Sequence, residues 1–303
     1  MNRNILRLAV PALGALIAEP LFLIVDAALV GHLGVTPLAG LGIASAVLQT
    51  IVGLMVFLAY STTPAVARKF GAGDPRGAVS VGIDGTWLAL ALGVVLAVVG
   101  AFAAPGLVSL FGAAPEVAAE ASIYLSISMA GLPAMLVVFA ATGLLRGLQN
   151  TITPLWVAGI GFAANALLNW LFIFGFGWGI AGSALGTVVA QWGMVLVYVV
   201  VIGRIARQHH APLRPHRAGL RGSARSGGWL FLRTVSLRVA MLLTIVVATA
   251  LGTEELAGYQ VVFRGFMLLM AGVPVYVFMK WRGHRAEPAA EADTPAEAAD
   301  LAT

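Results

Sequence analysis

The stretch AEPLFLIVDAALVG, residues 18–31, lies within a long apolar run near the N-terminus but carries two carboxylates, Glu19 and Asp26. Across the 303-residue chain, 60% of the residues are hydrophobic and only 10% are charged. Soluble domains carry about 25% charged residues. A chain with so little charge cannot cover a surface that faces water, so the composition predicts an integral membrane protein. The chain has no cysteine, which excludes disulfides and thiolate metal sites.

Apolar segments of membrane-spanning length recur along the whole chain, separated by short links that contain Gly and Pro. We predict eight spans, at residues 8–30, 38–66, 80–104, 119–145, 155–175, 182–203, 228–251 and 256–280. The first run is too long for a signal peptide and is therefore taken as a span. The fold class is an all-α, polytopic membrane helix bundle. Its predicted parts are a six-helix lobe (1–205), a cytoplasmic basic linker (206–227), a partial second lobe of about two helices (228–285) and a disordered acidic tail (286–303).

The basic residues show which ends of the spans face the cytoplasm. All but three of the 18 Lys and Arg residues precede the first span, follow the last, or lie in the links after spans two, four and six. The links after spans one, three, five and seven contain none. This alternation is the positive-inside pattern and predicts that both termini are cytoplasmic. It also accounts for the basic pI of about 10.1 without a nucleic-acid partner.

A short motif recurs at two places in the chain. HLGVTPLAG (32–40) and ALGTEELAG (250–258) share the pattern LGxxxLAG, and each joins the end of one span to the start of the next. Six spans lie between the two copies, and an even number of spans per unit predicts a parallel repeat. Two complete units would need roughly twice the 218-residue offset between the copies, so the chain covers one unit and the start of another.

Of the acidic residues, only Glu19 and Asp26 lie deep in a span. They are seven residues apart, so two helical turns place them on one face, about 10 Å apart along the axis. An Asp at the bilayer centre costs roughly 2.5–3.5 kcal/mol on insertion scales, and such residues usually have a function. A structural polar contact between helices is the alternative. It is strongest for Glu19, because Pro20 directly after it frees a backbone carbonyl. Asp84 lies near the inner edge of span three, where interfacial placement explains it.

Two later spans offer polar partners. In FAANALLNWLFIF (162–174), Asn165 and Asn169 are four residues apart and share a helix face. Thr187 and Gln191 do the same in the sixth span, which also contains a GxxxG step that allows close helix approach. These polar groups could simply hold helices together. Carboxylate, amide and hydroxyl oxygens together also suit a proton or Na⁺.

Three stretches carry a resemblance to a known family: VDAALVGHLG (25–34), ARKFGAGDPRGA (67–78) and LRGLQNTITPLWVAGIGFAANALLNWLFIFGFGWGIAGSALGTVVAQ (145–191). They resemble the multidrug and toxic compound extrusion (MATE) transporters, in the branch of the DNA-damage-inducible protein F. The likeness extends from about residue 5 to 262. It implies two six-helix lobes and the exchange of drugs for H⁺ or Na⁺.

The resemblance assigns roles to particular residues. Asp26 matches the first-helix aspartate of the N-lobe cation site, Asn165 its asparagine and Thr187 its threonine. Asn169 stands where cation-binding members carry a second acid, so the site holds one fewer negative charge and favours H⁺ over Na⁺. We include all four in the predicted cation-coupling site.

The predicted substrate cavity contains Glu19, Tyr124 and Gln191, with Tyr124 matching a cavity tyrosine of the family. The implied function is a cation-coupled antiporter that exports amphipathic organic cations across the bacterial plasma membrane, with no cofactor beyond the coupling ion. A buried carboxylate suits this role because burial penalises its charged form. Proton entry would then release the drug.

Other functions remain open. The likeness fails after residue 262, and 263–285 reads as a final span, so we expect an internal deletion, a fusion or a frame error. A non-transporting remnant or scaffold subunit is therefore one alternative. A lipid-linked substrate flippase is another, although the N-lobe spans lack basic residues for phosphates. No GxSxG or HExxH motif supports an enzyme. Three histidines in the Arg-rich loop fit a solvated linker better than a metal site: His209, His210 and His216.

Overall fold

The structure of the protein, a computed structural model, describes residues 23–251. The first described residues, 23–31, are helical and are labelled α1. The elements that follow are α2 (Val35–Met55), α3 (Phe57–Gly71), α4 (Pro75–Ser109), α5 (Pro115–Met129), α6 (Leu132–Gly147), α7 (Ile152–Trp170), a π-helix (Leu171–Gly175), α8 (Gly179–Gln208) and α9 (Arg217–Leu251). Between residues 23 and 251 there is no β-strand.

The described part of the chain confirms the predicted membrane helix bundle. Four segments are long and apolar enough to cross a membrane: Val35–Gly71, Pro75–Ser109, Ile152–Gly175 and Gly179–Gln208. The pair α5–α6 makes a fifth if its two helices count as one span. These five correspond to predicted spans two to six. Predicted span eight, the acidic tail and most of span one lie outside the described residues.

Predicted span four, 119–145, corresponds to two helices in the structure. Its two halves, α5 and α6, meet at an angle of 50°. Pro133, in the first turn of α6, has no backbone N–H to continue the helix. The carbonyl of Ala130, also at the bend, accepts a hydrogen bond from Nε1 of Trp192 at 3.1 Å. The bend therefore brings α8 against the junction of α5 and α6.

The first LGxxxLAG copy depends on its glycines for two different reasons. Gly34 precedes α2 with a φ of 123°, a conformation that side chains with a Cβ rarely adopt. Gly40 lies against α5, where a Cβ would come within 2.8 Å of Cβ of Glu120. The motif thus sets both the turn into α2 and its close packing on α5. Most of the second copy lies outside the described residues.

The segment between α8 and α9 is bound to α4. Only residues 209–216 are non-helical, so helix structure extends into both ends of the predicted linker. Asp84, which the sequence places near the inner edge of span three, is buried in the structure, with 2% of its surface exposed. Its Oδ1 accepts the backbone N–H of His216 at 2.8 Å, just before α9 begins. Nε1 of Trp87, on the next turn of α4, donates to the carbonyl of Leu213 at 3.0 Å.

Asp84→Ala is expected to destabilise the start of α9, because it leaves the His216 N–H without its acceptor. The loss of a hydrogen bond to a buried charged group corresponds to about 1–3 kcal/mol. Asp84→Asn retains an acceptor oxygen and should cost less. Thermal unfolding of the purified variants in detergent measures both effects. Equal unfolding temperatures for Asp84→Ala and the unmodified protein would show that this contact does not hold the segment.

The chain separates into two compact units, 1–235 and 236–303. In the first, an apolar cluster that includes Val30, Leu41, Leu125 and Ile173 surrounds Tyr124. This cluster draws on α1, α2, α5 and the π-helix, so it fixes the positions of the helices that carry the polar residues described next. In the second unit, the described residues are the end of α9, where Leu237 and Leu243 are exposed.

Candidate cation-coupling site

Asp26 is buried, with 6% of its surface exposed, and three other helices donate hydrogen bonds to its carboxylate. Nδ2 of Asn169 and Oγ of Ser183 each donate to Oδ1 at 2.8 Å. The hydroxyl of Tyr124 donates to Oδ2 at 3.3 Å. The donors come from α7, α8 and α5 respectively. One carboxylate on α1 therefore joins four helices of the bundle.

Asn165 and Asn169 share one face of α7, as their spacing predicted, and they extend the network away from Asp26. Nδ2 of Asn169 also donates to Oδ1 of Asn165 at 3.2 Å. Nδ2 of Asn165 in turn donates to Oγ1 of Thr187 at 2.9 Å. The structure thus brings together all four residues that we predicted for the cation-coupling site.

Two glycines of α8 make this proximity possible. Gly182 lies against the backbone of Phe172, where an added Cβ would approach the carbonyl carbon to 2.8 Å. Gly186 lies against Asn169, where a Cβ would overlap Oδ1 of the amide. The GxxxG step therefore packs α8 directly on α7 and the π-helix, as predicted. Because no side chain separates the two helices here, the polar groups of α7 and α8 can reach one another.

Ser183 belongs to the network but was missed by the sequence interpretation. It is fully buried and donates to Asp26. Two signals could have found it. It precedes Thr187 by four residues, which places both on one helix face, and it directly follows Gly182, which marks the close contact between helices.

The predicted cavity residues lie in different places. Tyr124 is buried and bonded to Asp26, so it lies in the carboxylate network rather than facing an open space. The structure does not bring Gln191 to Asp26. Its Nε2 is 3.9 Å from Sδ of Met135, and its Oε1 lies against Gly131 at the α5–α6 bend. Glu19 lies outside the described residues.

The network contains one carboxylate, and most of its oxygen atoms already accept a hydrogen bond from a neighbouring side chain. The amide oxygen of Asn169, Oδ1, is buried and has no hydrogen-bond partner among residues 23–251. Both oxygens of Asp26 and Oδ1 of Asn165 already accept bonds from amide or hydroxyl donors. No cluster of three or more His, Cys, Asp or Glu residues that could hold a metal ion occurs in the part of the chain that the structure describes. Chemically, the arrangement suits the binding and release of a proton at Asp26.

Comparisons with known proteins agree with this architecture. The MatE family profile matches residues 11–171. Protein DETOXIFICATION 44, chloroplastic, of Arabidopsis thaliana is 31% identical over 276 residues, which cover 86% of this chain and 52% of that protein. DNA damage-inducible protein F of Escherichia coli is 25% identical over 262 residues, covering 84% and 57%. The chain therefore spans about half the length of these curated relatives.

Solved structures show the same fold. A MOP superfamily transporter from Pyrococcus furiosus superposes with a TM-score of 0.74 at 26% sequence identity, covering 88% of this chain and 60% of that one. The family profile matches more than half of the chain and includes both Asp26 and Asn165. The chain is thus a multi-pass membrane protein that belongs to the multidrug and toxic compound extrusion (MATE) family of transporters.

Proposed function

We propose that the protein takes part in proton-coupled export of amphipathic organic cations, with Asp26 as the proton-binding group. The observation that carries this proposal is the buried carboxylate that accepts hydrogen bonds from three other helices. A related protein of Photobacterium profundum, named Multidrug resistance protein NorM, supports a role in drug export. Because the chain spans only part of its relatives, transport by this chain is itself part of the proposal.

Protonation of Asp26 would change the contacts between helices. Its ionised carboxylate accepts three bonds, whereas a protonated carboxyl group must also donate one. The hydroxyls of Tyr124 and Ser183 can turn and accept that bond. The amide N–H of Asn169 cannot, so the bond from a protonated Asp26 has to go to Tyr124 or Ser183, whose own bond to Asp26 then reverses. Proton binding thereby alters the contact of α1 with α5 or α8, and this change is the proposed link between the proton and the drug.

The donor set favours H⁺ over Na⁺. Na⁺ requires several free oxygen ligands, and a second carboxylate would help to offset its dehydration. Here Asn169 supplies an amide in place of an acid, and its N–H groups occupy oxygens that the ion would need. Only Oδ1 of Asn169 remains unpartnered within the described site. A proton binds to a single carboxylate oxygen and does not need several oxygen ligands.

Dye uptake into inverted membrane vesicles tests this choice of ion, because an exporter carries dye into a vesicle of this orientation. A pH gradient is expected to drive this uptake, whereas a Na⁺ gradient at constant pH should have no effect. Vesicles without the protein serve as the control. A response to Na⁺ alone would contradict proton coupling. A response to neither gradient would contradict transport by this chain and leave a non-transporting subunit as the second candidate function.

We also propose that the protein lies in the bacterial plasma membrane with both termini in the cytoplasm, on the basis of the Lys and Arg asymmetry. His32→Cys and Gln208→Cys test this orientation, because the native chain has no cysteine and both positions are exposed. In intact cells, a membrane-impermeant thiol reagent should label His32→Cys and spare Gln208→Cys. Labelling of Gln208→Cys alone would reverse the orientation.

A further inference from the structure

A cavity of about 290 Å³ lies at the end of the bundle where the basic residues collect, between the first turns of α4 and the segment before α9. One water molecule occupies about 30 Å³, so this space can hold a larger group, such as a phosphate. The residues that line it are Asp74, Arg76, Gly77, Ser80, Pro212 and His216. None of them belongs to the hydrogen-bond network around Asp26.

Three side chains of the lining can donate hydrogen bonds to an anion. They are the guanidinium of Arg76, the hydroxyl of Ser80 and the imidazole of His216. Within residues 23–251, none of these three side chains has a hydrogen-bond partner. The backbone N–H of His216 is bonded to Asp84, which leaves the ring of His216 for a ligand. A guanidinium is well suited to bind two oxygens of one phosphate.

The carboxylates near the cavity do not cancel its positive charge. Asp74 accepts a hydrogen bond from the backbone N–H of Gly77 at 2.7 Å and pairs with Nζ of Lys69 at 3.2 Å. Asp84 is buried against the segment before α9. Arg214, which is exposed on that segment, adds a further positive charge. The cavity therefore favours an anionic ligand.

Apolar groups lie beyond the cavity, toward the middle of the bundle. Trp87 follows Arg76 by eleven residues on the same face of α4, about 16 Å further along the helix. Both Trp87 and Leu213, whose carbonyl accepts the indole N–H, are exposed. Tryptophan is enriched where headgroups meet acyl chains. Basic groups at the end of the bundle and apolar groups further in repeat the order of headgroup and acyl chain in a lipid. A soluble phosphate ester has no acyl chain to contact these apolar groups.

We propose that this cavity binds the phosphate headgroup of an anionic lipid, through Arg76, Ser80 and His216. The acyl chains of the lipid would pack against Trp87 and Leu213. Basic pockets beside membrane helices are suited to anionic headgroups of this kind. Because Arg76 belongs to α4 and His216 to the segment before α9, one phosphate would bridge the two and stabilise the start of α9. The proposal does not depend on transport by this chain.

Native mass spectrometry of the full chain in detergent tests the proposal by measuring the binding of dioleoylphosphatidylglycerol, with zwitterionic dioleoylphosphatidylcholine for comparison. We expect tighter binding of the phosphatidylglycerol. Arg76→Gln should weaken this binding about fivefold, the share of one basic residue at a membrane surface. Ser80→Ala removes a donor without a change of charge and should also weaken it. Arg204→Gln is the matched control, because Arg204 is exposed at the same end of the bundle but does not line the cavity. It should retain the affinity of the unmodified protein.

Equal affinity for the two lipids would overturn the proposal. Equal losses in Arg76→Gln and Arg204→Gln would assign the binding to general surface charge and overturn it as well. Glycerophosphoglycerol carries the same headgroup without acyl chains. If it displaces the lipid at equal concentration, the ligand is a soluble phosphate ester and the assignment to a lipid is wrong. Thermal unfolding without lipid checks that each variant folds, and added phosphatidylglycerol should raise the unfolding temperature less in Arg76→Gln than in Arg204→Gln.

Discussion

Asp26→Asn is expected to abolish proton-driven efflux while leaving the protein folded. The amide has nearly the same shape as the carboxylate, and its oxygen can still accept bonds from Asn169 and Ser183, which both donate to Oδ1 of Asp26. It cannot bind and release a proton near neutral pH, so the proposed exchange between proton and drug stops. Dye efflux driven by a pH gradient measures the loss, and thermal unfolding checks the fold.

Glu19→Gln is the matched comparison for Asp26→Asn, because both variants replace a carboxylate of the first span by its amide. We expect Glu19→Gln to reduce efflux only in part or to change the range of accepted substrates. A full-length relative that carries the same N-terminal lobe provides a host in which transport can be measured independently of the length of this chain. Normal efflux by Asp26→Asn together with inactive Glu19→Gln would reverse the two roles.

Gly186→Ala is expected to disrupt the site from a position that carries no chemistry. Its new Cβ would overlap Oδ1 of Asn169 and lie 2.9 Å from the Asn169 backbone nitrogen. The backbone of α7 cannot move aside as a flexible side chain could, so α7 and α8 must separate. Overpacking of this kind costs about 1–3 kcal/mol. The separation should also draw Asn169 away from Asp26. We therefore expect both the unfolding temperature and the rate of efflux to be lower in Gly186→Ala than in the unmodified protein.

Gly193→Ala is the control on the same helix. Gly193 is exposed, and an added Cβ would meet no atom within 4 Å. The alanine should leave the unfolding temperature unchanged or raise it slightly, because alanine is the better helix former. If both glycine variants unfold at the same temperature, close packing at Gly186 does not hold the two helices together.

The fold was largely predictable because lipid constrains sequence strongly. A span must be apolar for about 20 residues, so segments such as 155–175 and 182–203 are visible in composition alone. The predicted ends of the spans were less accurate, because helices α4 and α8 continue beyond the apolar segments. The bend between α5 and α6 was not predicted, although Pro133 is a local signal for it. The bond from Trp192 to Ala130 at the bend joins residues 62 positions apart and has no such signal.

The candidate site was predictable where local spacing defines it. Asn165 and Asn169 share a face because they are one helical turn apart, and the GxxxG step at 182–186 marks a close contact. Spacing does not identify the partner helix, however. The sequence therefore grouped Gln191 with Thr187, although only Thr187 reaches Asn165.

By itself, the sequence determined that this is a membrane helix bundle, since a chain with 10% charged residues cannot form a water-facing surface. It also singled out Asp26, because a carboxylate deep in a span is costly. Only the tertiary structure decided which groups surround that carboxylate. Its bonds to Asn169 and Ser183 join residues 143 and 157 positions apart, and such pairs meet only when α1, α7 and α8 pack. The burial of Asp84 against His216 was decided in the same way, by a contact between α4 and the segment before α9 that no local pattern records.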